Sequence, residues 1–340
     1  MNKNTENIKK KINIGVEILR IYLSLLVVNT HCYNNSFNKY ISKMIRNRLH
    51  VPTFFIISFY YFQNVLISRK INKFKNRYQR LIIPYIIWPI TFWILNNLIK
   101  LKFKFNFDIS LKQLKIQLLT GHSFNPVFWF QWNLIFQTFI FIFVELIYHK
   151  CLIFILINIG LFSYFLQYSY LNYFLFSQFG NDKRFTFGRF SETIPYSISG
   201  FIIANNKIID RLKKNKIKTV FLFLIAFMLV YNYNIFFIPK GFGYEGIKLH
   251  ILSLCLFILL SIHSNRFIPQ NLIKIILQIS KCTPGIYYLH IPIMKYLKII
   301  FLCIKNKNLF GVFIIYIACY SISFFGDIIF RKTKLRNLFQ

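Results

Sequence analysis

The chain is poor in acid. Of its 340 residues nine are Asp or Glu, against 43 Lys or Arg, and charged residues of both signs make up 15%. A soluble domain of ordinary composition has roughly a quarter of its residues charged, so there is too little charge here to cover a water-facing surface. Glycine (12) and proline (9) are also few. No Ser- or Pro-rich linker marks off a second domain, and no internal repeat is visible. The six cysteines (Cys32, Cys151, Cys255, Cys282, Cys303, Cys319) form no CxxC pair and no metal-ligand spacing. Most lie in apolar runs, where Cys behaves as a small hydrophobe. Neither a disulfide framework nor a metal site is expected.

Apolar residues take up what charge leaves. Hydrophobic residues make up 56%, aromatics 20%, and the mean hydropathy is +0.47. About 20 mostly apolar residues cross a hydrocarbon core as a helix. Such runs fall at Ile12–Tyr33, Leu49–Ile67, Leu81–Ile99, Val127–Tyr148, Cys151–Leu171, Thr193–Asn205, Val220–Ile238, Ile247–Ser264, Thr283–Cys303 and Leu309–Phe330. The expected fold is all-α: a polytopic integral membrane bundle of about ten transmembrane helices, with one domain over residues 1–340. The basic start (Lys9, Lys10, Lys11) resembles a signal peptide, but Glu17 and Arg20 interrupt the first run and no small-residue cleavage site follows. That run is read as a retained helix.

Ten spans would put both ends on one side. The connectors on that side include Arg69–Arg80 and Lys207–Lys218, and the tail Arg331–Arg336 is basic too. The opposite connectors, Lys39–Arg48 and Lys100–Lys115, are basic as well but less dense. The positive-inside rule then predicts cytoplasmic termini. The net charge of +34 sits mostly in short connectors, which points to phospholipid headgroups rather than nucleic acid. Part of it follows an AT-rich codon bias visible in the abundance of Lys, Asn, Ile, Phe and Tyr. Between Lys100 and Phe107 polar and apolar residues alternate, and Leu111, Leu114 and Leu118 then recur at helical spacing. This predicts an extended stretch leading into a short helix in the membrane interface.

Ionisable groups inside a membrane helix are costly and mark function by default. The first run holds Glu17, Arg20 and His31. At about 100° per residue, Arg20 and His31 fall within roughly 20° of each other, and roughly 16 Å apart along the axis. Glu17 is three residues before Arg20 and can pair with it. The plainer alternative has Arg20 snorkelling to the headgroups and His31 in the interface. Arg77 and Arg80, three apart in the connector before the third run, suit phosphate, although positive-inside anchoring also accounts for them. Late in the chain His290 sits in the apolar stretch Tyr287–Pro292, either as hydrogen-bonded structure or as a second candidate for chemistry.

These residues together resemble the acyltransferase 3 family of membrane proteins. The acidic residue, Arg three later and His after ten more match Glu17, Arg20 and His31. Val51-Pro52-Thr53-Phe54-Phe55-Ile56-Ile57-Ser58 is similar to the family's second helix, and Arg77, Arg80, Pro84 and Tyr85 to the start of its third. Trp129-Phe130 is similar to its Trp-Phe element, and Ser280 through Tyr287-Tyr288-Leu289-His290 to its closing Ser…Tyr-Leu-His element. The chain has Thr30 and Phe59 where the family usually has Gly, and Asn133 and Gln137 where an acidic residue often follows the Trp element.

The resemblance implies a membrane-embedded O-acyltransferase that moves an acyl group, usually acetyl, from acyl-CoA to a hydroxyl of a cell-surface glycan or glycolipid. It implies Arg77 and Arg80 on the donor's phosphates, Arg20 deeper in the channel, Glu17 orienting Arg20, and His31 as general base or transient acyl carrier. His290 and Trp129 are further candidates. Acyl-CoA is a donor substrate, with no bound cofactor expected. Membrane lipids are the expected surroundings, and the bacterial plasma membrane the expected location. A transporter or flippase for a lipid-linked saccharide stays open, because a polar stripe in a bundle also describes a substrate pathway.

Overall fold

The structure, a computed structural model, describes residues 13–32, 49–103, 110–121, 123, 125, 127–168, 180–237, 247–262, 268–300 and 309–339. Among these residues there is no strand. The helices are α1 (Ile14–Cys32), α2 (His50–Ile67), α3 (Ile71–Phe103), α4 (Leu111–Thr120), α5 (Phe128–Ile147), α6 (Leu152–Tyr168), α7 (Gly180–Asn205), α8 (Ile208–Lys214), α9 (Lys216–Phe237), α10 (Ile247–Ile262), α11 (Gln270–Lys281), α12 (Thr283–Ile300) and α13 (Leu309–Ile329). Short 3-10 turns follow at His149–Cys151 and Lys334–Leu338. Five stretches are long and apolar enough to cross a membrane: Ile14–His31, Ile71–Leu98, Phe128–Ile147, His149–Leu166 and Gly311–Ile329; Ile247–Ile262 is apolar but shorter. The chain is a helical membrane protein.

Two helices outrun their apolar segments. The run at Leu81–Ile99 lies within α3, whose 33 residues begin at Ile71 and carry Pro84 and Pro89. Arg77 and Arg80 are therefore helical residues of α3, not part of a connector. The same helix continues to Phe103, so the start of the alternating Lys100–Phe107 segment is helix rather than extended chain; residues 104–109 lie outside the described ones, as does the Lys39–Arg48 connector. The interrupted sixth run belongs to α7, which starts at Gly180 and holds Pro195 internally. In both cases polar residues join the helix because propagation adds one hydrogen bond per residue once a turn exists. The short helix expected after residue 110 is α4, begun by a reciprocal cap between Ser110 and Gln113 and ended at Gly121 in the left-handed conformation.

Helix α1 is the hub. It packs against α2, α10, α11, α12 and α13, and Val16, Leu19, Leu23, Val27 and Val28 are fully or almost fully buried. Helix α2 lies between α1, α5, α7 and α10, burying Phe55, Phe59 and Phe62. Two close backbone approaches set these spacings. A Cβ on Gly15 would collide with the Leu260 carbonyl of α10, and one on Gly200 with the Ile56 backbone of α2. Asn13 at the start of α1 donates to the Ser261 carbonyl of α10 (2.6 Å), and Arg69 after α2 pairs with Glu145 near the end of α5 (2.9 Å). This end, where α1 begins, is called basal below; the opposite end, where α1 finishes and α2 and α5 begin, is called distal.

The chain after α13 turns back into the bundle. The Trp88 indole donates to the Leu338 carbonyl (3.1 Å), Phe339 stacks on Phe330 and meets Trp88 edge-on, and Arg336 pairs with Asp327 (2.5 Å). Leu338 and Phe339 are buried, so the tail fills space between α3 and α13 that neither helix closes alone.

Since the Gly200 contact is with backbone, which cannot rotate away, Gly200→Val should force α2 and α7 apart. The expected cost is about 1–3 kcal/mol or more, read as a lower melting temperature of the detergent-solubilised protein. An unchanged melting temperature would show that this interface relaxes.

Candidate active site

The polar groups of α1 divide between two clusters. At the basal end Glu17 is buried and pairs with Arg20 one turn on, Nη1 to Oε2 at 3.0 Å. Glu17 Oε2 also accepts from the Ser280 hydroxyl of α11, and the Tyr61 hydroxyl of α2 lies beside the carboxylate. Arg20 reaches α12 through Nη2 to Thr283 Oγ1 (3.4 Å), while its side chain keeps 26% exposure. Four helices thus converge on one ion pair, and part of the guanidinium stays open. The spacing of three that let Glu17 and Arg20 meet was legible in the sequence. Their contacts with Ser280 and Thr283 were not, because only packing brings α11 and α12 to α1.

The second cluster lies distally on the same helix pair. The His31 ring, exposed at the end of α1, has its centroid 5.1 Å from that of His290, tilted by 42°. His290 is fully buried. Its Nδ1 faces the backbone carbonyls of Tyr287 (2.7 Å) and Ile286 (3.3 Å). A carbonyl only accepts, so Nδ1 carries the hydrogen and Nε2 keeps the lone pair. Nε2 is buried without a hydrogen-bond partner, which is uncommon enough to need a reason. The two histidines are therefore a half-open pair, with one ring accessible and the other sealed behind it. His50, buried at the start of α2, is a third histidine close enough to act on His290 electrostatically. It went unread in the sequence because one His before Val51-Pro52 carries no spacing signal. These three rings form no group suited to hold a metal ion among the described residues.

The two arginines of α3 part company. Arg77 turns inward: Nη2 donates to Ser58 Oγ of α2 (2.7 Å), and the guanidinium lies over the Phe62 and Phe59 rings at 5.1 and 5.9 Å. Its Nε is buried and without a hydrogen-bond partner. Arg80 is exposed. Phe59 thus supplies one of the two rings under Arg77.

Trp129 is buried and carries the Arg189 guanidinium of α7 over its ring at 5.6 Å; Arg189 in turn pairs with Glu192 (2.6 Å). Between Trp129 and the histidines lies an aromatic layer. Phe130 packs against Phe55 and Tyr287, Phe128 stacks on Tyr288, and the Tyr288 hydroxyl donates to Gln131 Oε1 (2.7 Å). Gln137 bridges Thr193 (2.8 Å) and Ser197 of α7. A separate buried network joins His250 to Ser199 (2.7 Å) and Tyr164; both ring nitrogens are occupied, which fits a tie between α6, α7 and α10.

A family model for an acyltransferase domain matches the chain over residues 13–328. No curated protein matches, and no solved structure does.

Removing Glu17 alone leaves Arg20 partly buried without its carboxylate. Glu17→Ala should cost on the order of 2 kcal/mol. The double variant Glu17→Ala, Arg20→Ala should cost less than the sum of the singles by about 1 kcal/mol, measured by thermal unfolding in detergent. Additive losses would mean that the pair does not act as a unit.

Proposed function

The chain belongs to the acyltransferase 3 family, its match running from residue 13 to residue 328, and on that premise we propose that it moves an acyl group, most simply acetyl, from acyl-CoA to a hydroxyl of a cell-surface glycan or glycolipid. The membrane acyltransferase character follows from the family. The donor, the acceptor and the residue roles are the reading offered here, and the observation that carries it is the unpartnered Nε2 of buried His290 beside exposed His31.

In this reading ten helices cross the membrane: α1, α2, α3, α5, α6, α7, α9, α10, α12 and α13, with both termini in the cytoplasm. The basic segments of α3 and α8 and the tail support it. The basal end then faces the cytoplasm, in a bacterium's plasma membrane, and the donor arrives there. Exposed Arg80 meets its phosphates from outside, Arg77 offers its unpartnered Nε from within the bundle, and the open part of Arg20 guides the thioester arm between them. Glu17, held by Ser280, keeps Arg20 in place. Trp129, under Arg189, shapes the wall on the side of α5.

His31 and His290 share one task. The His290 lone pair is unpartnered as the structure stands; in the reacting state the His31 ring turns one N–H onto it, which leaves the other His31 nitrogen as an acceptor, so His290 sets the tautomer of the base. The acceptor oxygen bonds to the thioester carbonyl carbon while His31 takes its proton. The C–S bond breaks and the thiolate recovers that proton, leaving an ester, a thiol and neutral histidine. A thioester is already activated, so positioning and one base are sufficient.

The test incubates membranes holding equal amounts of each variant with radiolabelled acetyl-CoA and follows label into glycan and lipid fractions. His31→Ala should lower incorporation by about 10²–10⁴. His290→Gln, which keeps an acceptor atom, should retain more activity than His290→Ala. Label unaffected by His31→Ala would discard His31 as the base, and no label with the unaltered protein would count against acyl transfer from this donor.

A further inference from the structure

Helix α6 is fastened to α7 through a gap in the hydrogen-bond ladder of α7. Pro195 lies inside α7 and has no N–H for the Ser191 carbonyl one turn back; the Ser163 hydroxyl of α6 donates to that carbonyl instead. The two helices also approach closely at Gly160, where a Cβ would come to 3.2 Å from Ile198 Cδ1. Tyr164, the residue after Ser163, is thereby carried to the His250 ring of α10, and its hydroxyl bonds to Nδ1. On the other side of that ring, Nε2 meets Ser199 Oγ of α7 at 2.7 Å.

The Ser199 hydroxyl is used differently from those of other helical serines in the bundle. Ser253, Ser261 and Ser323 each donate to the carbonyl four residues back (2.8, 2.6 and 2.8 Å), the usual arrangement inside a helix. Ser199 makes no such bond among the described residues, so its hydrogen is directed at Nε2 of His250. Nε2 then accepts, while Nδ1 carries the ring hydrogen and donates it to the Tyr164 oxygen. Nucleophile, base and orienting group thus stand in one hydrogen-bonded line, the arrangement that activates a serine. Two aromatic rings attend the base, Tyr196 at 4.6 Å and Tyr164 at 5.9 Å between centroids. Aromatic rings at this range favour the positive charge that forms when the imidazole takes a proton.

We propose that Ser199 is an acyl-accepting nucleophile, with His250 as its general base and Tyr164 as a positioning residue, and that it takes its acyl group from an ester of a membrane lipid. Location selects the substrate class. From His250, α10 continues for about 16 Å to Ser261, whose carbonyl meets Asn13 at the basal end, so the serine lies inside the membrane. His250 is buried, whereas Ser199 and Tyr164 are half-buried. The flank around them is apolar: Leu161, on the Tyr164 face of α6, is 62% exposed, and Ile247, on the His250 face of α10, 54%. A substrate that reaches this flank arrives through hydrocarbon. Ser199 Oγ bonds to the ester carbonyl carbon as its proton passes to Nε2. The C–O bond to the lipid breaks, and the departing oxygen takes that proton, leaving an acyl-serine, a lysolipid hydroxyl and a neutral imidazole. Water or another hydroxyl, deprotonated by the same nitrogen, then releases the acyl group. The site shares no residue with the histidine pair of α1 and α12.

The experiment treats the full chain, reconstituted in phosphatidylcholine vesicles, with a long-chain alkyl fluorophosphonate, which dissolves in the bilayer and bonds to an activated serine with loss of fluoride. Modified residues are mapped by mass spectrometry. Ser199 should carry the label. His250→Gln should slow labelling about 10²-fold or more, and Tyr164→Phe, which keeps the ring, about tenfold, the worth of one hydrogen bond. In a second arm the phosphatidylcholine has a radiolabelled acyl chain, which should appear on the protein or as free fatty acid, and in neither place with Ser199→Ala. An unlabelled Ser199, or labelling as fast in His250→Gln as in the unaltered protein, would overturn the nucleophile. Fluorophosphonate labelling with no transfer from the lipid would overturn the lipid ester as its substrate. Neither arm contains acyl-CoA, so both results are independent of acetyl transfer at His31.

Discussion

A carboxylate held inside a bundle of apolar helices has to be neutralised where it lies, because moving an unpaired charge out of water costs several kcal/mol even after relaxation. Glu17 is that carboxylate. Arg20, Ser280 and Tyr61 answer it from α1, α11 and α2, and Arg20 extends the same contact to α12. The helices that meet α1 at the basal end are thus brought to one electrostatic point. The distal histidines ride on the same two helices, α1 and α12, so the geometry of the pair at His31 and His290 depends on a contact made several turns away.

The same rule governs the other acids. Each acidic side chain described is in an ion pair: Glu17 with Arg20, Glu145 with Arg69 and His149, Glu192 with Arg189, Asp210 with Lys213 and Asp327 with Arg336. Four of these pairs lie within about one turn of the chain, while Arg69–Glu145 joins distant segments and Arg336–Asp327 folds the tail back on α13. With nine acids and 43 Lys or Arg, most of the basic residues have no acid to pair with. Arg77, sunk between two Phe rings and a serine, has cation–π attraction and one hydrogen bond in place of a carboxylate.

The aromatic excess has a structural use as well. Phe54, Phe55, Phe128, Phe130, Tyr287 and Tyr288 form a continuous layer between α2, α5 and α12. In a membrane, where lipid is as apolar as the helix faces, shape and van der Waals packing rather than water exclusion hold helices together. Large flat side chains supply that contact area and place His290 with little conformational freedom.

Much of this was legible in one dimension. Apolar run length established a helical membrane protein, because backbone polar groups in hydrocarbon must be satisfied within the segment. The three-residue spacing of Glu17 and Arg20 established their pairing, and the leucine spacing from Leu111 marked α4. Order and spacing of the short motifs pointed to the family. Tertiary structure alone decided the rest: that His290 stands beside His31, that Arg77 turns inward while Arg80 faces out, that Ser280 meets Glu17, and that the tail closes against Trp88. Periodicity says which face of a helix a residue occupies but not which other helix that face will meet. The meetings are set by backbone approaches such as Gly15 on Leu260 and Gly200 on Ile56, which belong to pairs of segments and to no single stretch of sequence.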